Sequence, residues 1–205
     1  MTAEFVALEP TQEIKSIYSR QFQLTYLVML SERQLTTELH VRNPPMLGAN
    51  IPSVLEFQAL FHNYLRAPSK QALIEPLKGI SYYDKTEGRS KVETRETVDA
   101  KTFTDSIYQD AHGSYKVTWP GGGISINSTN FKDVVIWNPQ EHGRGIVDME
   151  EDGWYVQILY LSKFVPEHCH GRERYVCVEP GHVEGFVGLE AGETWIGRQV
   201  LSVLD

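Results

Sequence analysis

The segment 54–66 carries polar side chains that could hydrogen-bond a ligand and exchange protons with it. If the segment is a strand, Gln58, His62 and Tyr64 share one face, because successive side chains of a strand alternate between faces. Amide, imidazole and phenol groups on one surface can hydrogen-bond a polyhydroxylated ligand, and histidine exchanges protons near neutral pH. A solvated strand face with an ordinary histidine has the same spacing, so the pattern alone leaves both interpretations open.

A second candidate is Glu179, which ends the β-rich run 174–179 and precedes Pro180 and Gly181. The Pro-Gly pair predicts a turn, so we expect the Glu179 carboxylate at a strand end. An unperturbed glutamate has a pKa of about 4.3 and is ionised at neutral pH, as a general base must be. A solvated turn residue is the alternative interpretation.

The elements that would position these residues have a period of two. Apolar and polar residues alternate over 35–42, the run 22–30 is β-rich, and a hairpin is predicted at 31–33. Further strands are predicted at 54–66, 90–99, 114–119, 123–127, 134–137, 154–161, 174–179, 182–189 and 193–201. One short helix is predicted at 10–19. Many short strands separated by turn residues predict a single domain with an all-β, antiparallel β-sandwich or barrel architecture.

Composition narrows the function classes. The chain has 205 residues and a formal net charge of −8, which disfavours a broad nucleic-acid surface. No run reaches the roughly 18 apolar residues of a membrane helix, and the N-terminus does not resemble a signal peptide. Two cysteines, Cys169 and Cys177, are too few for a disulfide framework. We therefore expect reduced thiols, a cytoplasmic protein, and neither nucleic-acid nor membrane partners.

Five short segments occur in a fixed order along the chain: HNYL at 62–65, FTDSIY at 103–108, VIWNP at 135–139, YVCVEPG at 175–181 and LEAGETW at 189–195. Taken together they resemble the glucose-6-phosphate 1-epimerase (hexose-6-phosphate mutarotase) branch of the aldose 1-epimerase family, over residues 4–203. The resemblance implies a galactose mutarotase-like antiparallel β-sandwich that binds its sugar on a concave sheet face.

The resemblance also implies residue roles. His62 takes the place of the catalytic histidine, Glu179 that of the catalytic glutamate, and Asp105 that of a sugar-binding aspartate. Strand geometry adds Gln58 and Tyr64 as substrate-binding candidates. The implied activity interconverts the α and β anomers of hexose 6-phosphates, chiefly glucose 6-phosphate. This chemistry needs one acid and one base, so we expect no cofactor, no metal, and a small-molecule sugar phosphate as partner.

The chain departs from the family pattern in two places. The match begins part-way through the family's sequence, so we expect an N-terminally truncated sandwich. The resemblance implies that the upstream strands would supply the arginines and a glutamine that hold the sugar phosphate. The segment 155–173 is expected to be an insertion. A catalytically inactive carbohydrate-binding β-sandwich, or an accessory module of a glycoside hydrolase, is the competing interpretation. The enzyme interpretation expects His62 and Glu179 to face one cleft with room for a pyranose between them.

Other signals are weaker. His168, Cys169 and His170, together with Cys177, offer zinc-ligand types, but their spacing matches no common zinc finger. We therefore expect no metal site there.

Overall fold

The computed structural model describes residues 2–7, 10–18, 20–45, 54–140 and 175–204. Nearly every element in these ranges is a strand. In chain order they are β1 (Thr2–Ala7), α1 (Gln12–Ile17), β2 (Gln23–Leu30), β3 (Gln34–Arg42), β4 (Leu55–Leu60), β5 (Tyr64–Arg66), β6 (Leu73–Glu75), β7 (Ser81–Asp84), β8 (Arg89–Val92), β9 (Val98–Asp99), β10 (Thr104–Tyr108), β11 (Ser114–Trp119), β12 (Gly122–Thr129), β13 (Asp133–Asn138), β14 (Tyr175–Leu189) and β15 (Thr194–Leu204).

The strands form two antiparallel sheets. An eight-stranded sheet has the order β1-β2-β3-β15-β12-β11-β6-β9, and a seven-stranded sheet has the order β4-β14-β13-β10-β7-β8, with β5 also paired to β14. One large apolar core lies between them, to which both sheets contribute buried side chains. The prediction of an all-β antiparallel sandwich is confirmed, because two sheets that bury one face each against the other define that architecture.

The inward face of the seven-stranded sheet is largely apolar along β13 and β14. Val134, Ile136, Val176 and Val178 point into the core and have no exposed surface. Because side chains alternate along a strand, the residues between them point to the opposite face of the same sheet. Buried valines and isoleucines therefore hold the strands in register, and the alternate positions remain available for chemistry.

Two predicted strand boundaries are wrong. The predicted strand 54–66 is two strands, β4 and β5, separated by residues 61–63. The predicted strand 90–99 likewise divides into β8 and β9. The hairpin at 31–33 and the helix within 10–19 are confirmed, the helix being capped by Thr11, whose side chain accepts a hydrogen bond from the amide of Ile14.

The predicted Pro-Gly turn after Glu179 is also wrong, because β14 continues through it. Pro180 pairs with Val134, and Gly181 pairs with both Asp133 and Leu60. Proline is tolerated in a strand where the ladder does not require its missing amide proton. The carbonyl of Pro180 still accepts a hydrogen bond, at 3.0 Å from the amide of Phe61. Glu179 therefore lies inside a long strand with neighbours on both sides.

Several predictions fall outside the described residues. They are the strand 154–161, the insertion 155–173 and the zinc-ligand candidates His168, Cys169 and His170. Cys177 is described, and it is a free, buried thiol. Among the described ranges, no helix is long and apolar enough to cross a membrane.

Candidate active site

A row of functional side chains crosses the outer face of the seven-stranded sheet. Tyr64 pairs with Cys177, Cys177 with Trp137, and Trp137 with Asp105, across β5, β14, β13 and β10. Residues directly opposite in neighbouring strands share a face, so these four side chains lie side by side. Glu179 follows Cys177 by two positions and therefore joins the same face. The strand register alone brings these residues together.

His62 lies directly against Glu179. Its Nδ1 is 3.0 Å from Oε1 of the carboxylate, and the His62 side chain is 46% exposed whereas that of Glu179 is 4% exposed. Glu179 Oε1 is nevertheless a buried atom without a hydrogen-bond partner. The two groups are therefore close enough for an ion pair, although the N–H direction is not aligned with the oxygen. The imidazole covers a buried carboxylate and presents its other edge outward.

Burial and charge shift both pKa values of this pair upward. Burial raises the pKa of Glu179 above its ordinary value of 4.5, the nearby charge of Asp105 raises it further, and His62 opposes the rise. The contact with Glu179 raises the pKa of His62 above its ordinary value of 6.5, against a smaller opposing effect of burial. Perturbed, interacting titratable groups of this kind are typical of acid–base sites.

Aromatic rings fix the orientation of the imidazole. Tyr64 stacks on His62 with ring centroids 4.7 Å apart and an interplanar angle of 10°. Trp137 meets His62 edge to face, with centroids 5.7 Å apart, and Tyr175 packs against Tyr64 at 5.2 Å. Stacked and edge-to-face pairs are favourable arrangements for such rings. His62 is therefore held by rings on two sides and by a carboxylate on a third.

Asp105 lies on the same face as Glu179, two strands away and two residue positions along the strand. Its Oδ1 is 3.3 Å from the Lys85 ammonium, and the same oxygen is buried and accepts no hydrogen bond. The contact is therefore an ion pair without hydrogen-bond geometry. Asp105 thus keeps an unused acceptor on the face that carries His62 and Glu179.

Gln58 hydrogen-bonds to the backbone of β14 and not to His62 or Glu179. Its Nε2 donates to the carbonyls of Val183 and Gly185 at 2.6 and 2.9 Å. These two residues lie where β14 shifts register against β4, between His182 and Val187. The Gln58 amide nitrogen therefore closes a β-bulge, and its hydrogen bonds do not join it to His62 or Glu179.

The structure thus brings His62, Glu179 and Tyr64 into direct contact, places Asp105 on the same face, and turns the Gln58 amide nitrogen to the bulge. One expectation is wrong: a separation of 3.0 Å leaves no room for a pyranose between His62 and Glu179. A pyranose, if one binds here, would have to lie over the pair. The anomeric hydroxyl and the ring oxygen are bonded to the same carbon, so an adjacent acid and base can reach both.

The same region contains a possible metal-ligand group. Donor atoms of His62, Cys177 and Glu179 lie within 4.8 Å of one another, and they are types that zinc accepts. Zinc would require the Cys177 thiolate, whereas burial raises the pKa of this thiol well above its ordinary value of 9.0. The donor set therefore fits proton chemistry better than metal binding.

Sequence reasoning missed three residues of this site. Trp137 and Cys177 lie in the quoted motifs, and the alternation with Glu179 could have placed Cys177 on its face. Lys85 follows β7 in a turn and has no distinguishing local pattern. Its pairing with Asp105 depends on the contact between β7 and β10.

No protein-family profile matches the chain. Solved structures do resemble it. The Salmonella typhimurium protein YeaD, whose assignment as a mutarotase is provisional, has a TM-score of 0.74 at 16% identity, covering 100% of this chain and 60% of that protein. A galactose mutarotase related enzyme from Lactobacillus acidophilus has a TM-score of 0.69 at 13% identity, covering 100% of this chain and 68% of that one.

A galactose mutarotase-like protein from Lactobacillus casei has a TM-score of 0.66 at 14% identity, covering 99% of this chain and 70% of that one. Identities this low show the fold alone, which is the galactose mutarotase-like β-sandwich. The chain spans about 60% of the length of the Salmonella protein.

Proposed function

We propose that this chain, which has the galactose mutarotase-like β-sandwich fold, interconverts the α and β anomers of aldoses by acid–base opening and closure of the sugar ring. Glu179 is the base, His62 is the acid, and hexose 6-phosphates, chiefly glucose 6-phosphate, are the substrates. The observation that carries the proposal is the contact between an exposed imidazole and a buried, incompletely hydrogen-bonded carboxylate, 3.0 Å apart on an open sheet face.

The reaction needs two proton transfers and no net change in atoms. Glu179 takes the proton of the anomeric hydroxyl while His62 gives a proton to the ring oxygen. The bond between the anomeric carbon and the ring oxygen breaks, and the open-chain aldehyde forms. Rotation about the C1–C2 bond turns the other face of the aldehyde toward the hydroxyl. Closure reverses both proton transfers and yields the second anomer with both residues in their starting states.

The 3.0 Å contact supports different roles for the two nitrogens of His62. Nδ1 faces Glu179, so Nε2 is the nitrogen left to face a sugar. The raised pKa of His62 favours the doubly protonated ring, in which Nε2–H can donate. After donation the neutral ring keeps its Nδ1 proton beside Glu179. Each positioned proton transfer contributes about 10²–10⁴ in rate.

The remaining predicted residues would bind the sugar. The unused Oδ1 of Asp105 can accept a sugar hydroxyl, and the half-exposed ring of Tyr64 offers both an apolar surface and a phenol. Gln58 would bind through its carboxamide oxygen, because its nitrogen is engaged at the bulge. Lys85, 46% exposed beside Asp105, supplies a positive charge on this face that suits a phosphorylated sugar.

A second candidate function is carbohydrate binding without turnover. The direct contact of His62 with Glu179 favours it, because the imidazole shields the base from solvent. A binder would hold a sugar on the face of Tyr64 and Trp137 while leaving its anomers in slow, uncatalysed exchange.

The test is anomer exchange measured by NMR on the folded chain, with glucose 6-phosphate and glucose compared under the same conditions. We expect faster exchange of glucose 6-phosphate than of glucose. Equal acceleration of both sugars would support the epimerase and remove the phosphate specificity. Saturable binding without acceleration would establish the carbohydrate-binding function instead.

A further inference from the structure

The three residues between β4 and β5 are attached to the strand of Glu179 on both sides of His62. The amide of Phe61 donates to the carbonyl of Pro180 at 3.0 Å, and Asn63 Nδ2 donates to the carbonyl of Val178 at 3.0 Å. Val178 and Pro180 are the residues immediately before and after Glu179. The residues before and after His62 are therefore each hydrogen-bonded to the strand of Glu179, and His62 lies opposite the carboxylate between them.

Asn63 also reaches the other sheet. Its Nδ2 donates to Oε1 of Gln199 at 2.7 Å, and Gln199 Nε2 donates back to Asn63 Oδ1 at 2.9 Å. Gln199 belongs to β15 and is 3% exposed. Together with the bond to Val178, this uses both protons and the oxygen of the Asn63 amide. The Asn63–Gln199 amide pair thus spans the space between the two sheets directly behind His62.

An amide pair is an unusual choice for this position. Phe61 and Leu65, which also point inward, are buried apolar residues. Two facing apolar side chains of similar shape would be nearly neutral for stability, whereas a buried amide needs every hydrogen bond to avoid a desolvation cost. Reciprocal amide hydrogen bonds form in one geometry only. The pair therefore fixes both the orientation and the separation of Asn63 and Gln199.

We propose that Asn63 and Gln199 are positioning residues that hold His62 against Glu179 for proton transfer. Neither residue lies on the face that carries Glu179 and Trp137, so both act through the backbone of residues 61–63. The inference rests on the proposed acid–base function and names two further residues that this function requires. A displacement of a reacting group by about 1 Å can cost about 10²-fold in rate.

The test removes the Asn63–Gln199 amide pair, so that neither side chain is left as an unpaired buried amide and only the carbonyl of Val178 loses a partner. In the double variant Asn63→Leu/Gln199→Leu, both partners become apolar, so we expect a folded protein. We expect its kcat for anomer exchange to fall at least about 10-fold, with KM changed less. We also expect the NMR-titrated pKa of His62 to move back toward 6.5, since the ring loses its fixed contact with Glu179.

The swap Asn63→Gln/Gln199→Asn is the matched control, because it keeps both amides and their combined length. It should restore part of the lost kcat and the raised pKa of His62. Wild-type values of both quantities in the leucine double variant would show that the amides are only structural, and would overturn the inference. If the wild-type chain has no exchange activity, the proposed function fails. The pKa of His62 in the two double variants still decides whether the Asn63–Gln199 amide pair positions the ring.

Discussion

Two buried glutamates in this sandwich each have a basic partner, but they differ in their hydrogen bonds and in the direction of their pKa shifts. Glu93 is 3% exposed and pairs with Arg95, and Glu179 is also 3% exposed and pairs with His62. Their environments move the two pKa values in opposite directions. The comparison separates a carboxylate that holds the fold together from one that is available for chemistry.

Glu93 is fully hydrogen-bonded. Its Oε1 accepts from the backbone amide and Nε of Arg95, each at 2.9 Å, and its Oε2 accepts from Arg95 Nη2 and the Tyr108 hydroxyl, each at 2.7 Å. Burial alone would raise the pKa of Glu93, but the bonds from Arg95 and Tyr108 outweigh it and lower the pKa to about 2. The group is ionised at every physiological pH and has no lone pair to offer a ligand.

Glu179 has the opposite balance. Burial raises its pKa and the contact with His62 compensates only in part. Buried polar atoms without partners are rare in native proteins. Among the described residues they are four: Thr37 Oγ1, Trp119 Nε1, Asp105 Oδ1 and Glu179 Oε1. The two carboxylate oxygens of this group both lie on the proposed sugar-binding face, where a substrate hydroxyl could supply the missing hydrogen bond.

The largest expected effect is the loss of proton transfer at the second pair. Glu179→Gln should slow anomer exchange by about 10²–10⁴ without lowering stability, because the neutral amide removes the cost of a buried charge. His62→Gln should have an effect of similar size. The double variant should lose little more than either single variant, because the pair acts as a unit.

The measurement is NMR exchange at equal concentrations of folded protein. Glu56→Gln, an exposed glutamate on β4, is the matched control and should keep the wild-type rate. Additive losses in the double variant would contradict the paired mechanism.

The pH dependence of kcat/KM should also distinguish the pair. In the proposed mechanism the active form has Glu179 ionised and His62 protonated. The rate should therefore rise as pH passes the Glu179 pKa and fall as pH passes the His62 pKa. Both pKa values are raised, so the limbs should lie above 4.5 and 6.5, respectively. The alkaline limb should disappear in His62→Gln. Its persistence in that variant would exclude His62 as the acid.

Substitution of the first pair should change stability instead of rate. Glu93→Gln leaves Arg95 and Tyr108 with weaker partners and should cost about 1–3 kcal/mol of unfolding free energy. For a chain of this size each kcal/mol lowers Tm by about 2–4 °C. The exchange rate per folded molecule should stay at the wild-type value. Thermal unfolding combined with the exchange assay measures both quantities.

The hydrogen bonds of Glu93 with Arg95 and Tyr108 also predict how the stability of the protein changes at low pH. The folded-state pKa of Glu93, about 2, is below the ordinary value of 4.5. Its stabilisation is therefore fully present above pH 4.5 and is lost as pH falls toward 2. Wild type should lose stability between these pH values more steeply than Glu93→Gln. Parallel curves for the two proteins would contradict the role assigned to this cluster.

The smallest expected effect is that of metal removal. The His62, Cys177 and Glu179 donor atoms are close enough for zinc, but the raised pKa of the Cys177 thiol disfavours the thiolate that zinc needs. Anomer exchange should be unchanged after dialysis against a chelator and after re-addition of zinc. A rate that falls with the chelator and returns with zinc would replace the acid–base account with a metal-dependent one.

The parts of the fold with a clear period of two were predictable from the sequence. Burial alternates along β11, because one face of that strand is buried. β3 lies where its alternating sequence places a strand, although three consecutive residues near its start are buried. The Pro-Gly pair after Glu179 led to the prediction of a turn, which is wrong because β14 continues through these residues. Local turn preference was outweighed there by pairing of Gly181 with residues on both sides of β14. Long-range pairing of this kind leaves no local trace.

The candidate site also has a part that the sequence predicted and a part that it did not. His62, Asp105 and Glu179 were found through short motifs, and the strand register then explains why Asp105 and Glu179 share a face. The 3.0 Å contact depends on the three residues that interrupt the predicted strand 54–66, a break with no clear sequence signal. The pairing of Asn63 with Gln199 joins residues 136 positions apart. Their types alone would have suggested two ordinary polar surface residues.

The most direct measurement compares the two glutamates in one experiment. Anomer exchange of glucose 6-phosphate is measured by NMR for wild type, Glu179→Gln and Glu93→Gln, each normalised to its folded fraction. The account predicts that Glu179→Gln loses about 10²-fold or more while Glu93→Gln exchanges at the wild-type rate. Equal rates for the two variants, whether both high or both low, would contradict the claim that the carboxylate beside His62 is the one that opens the ring.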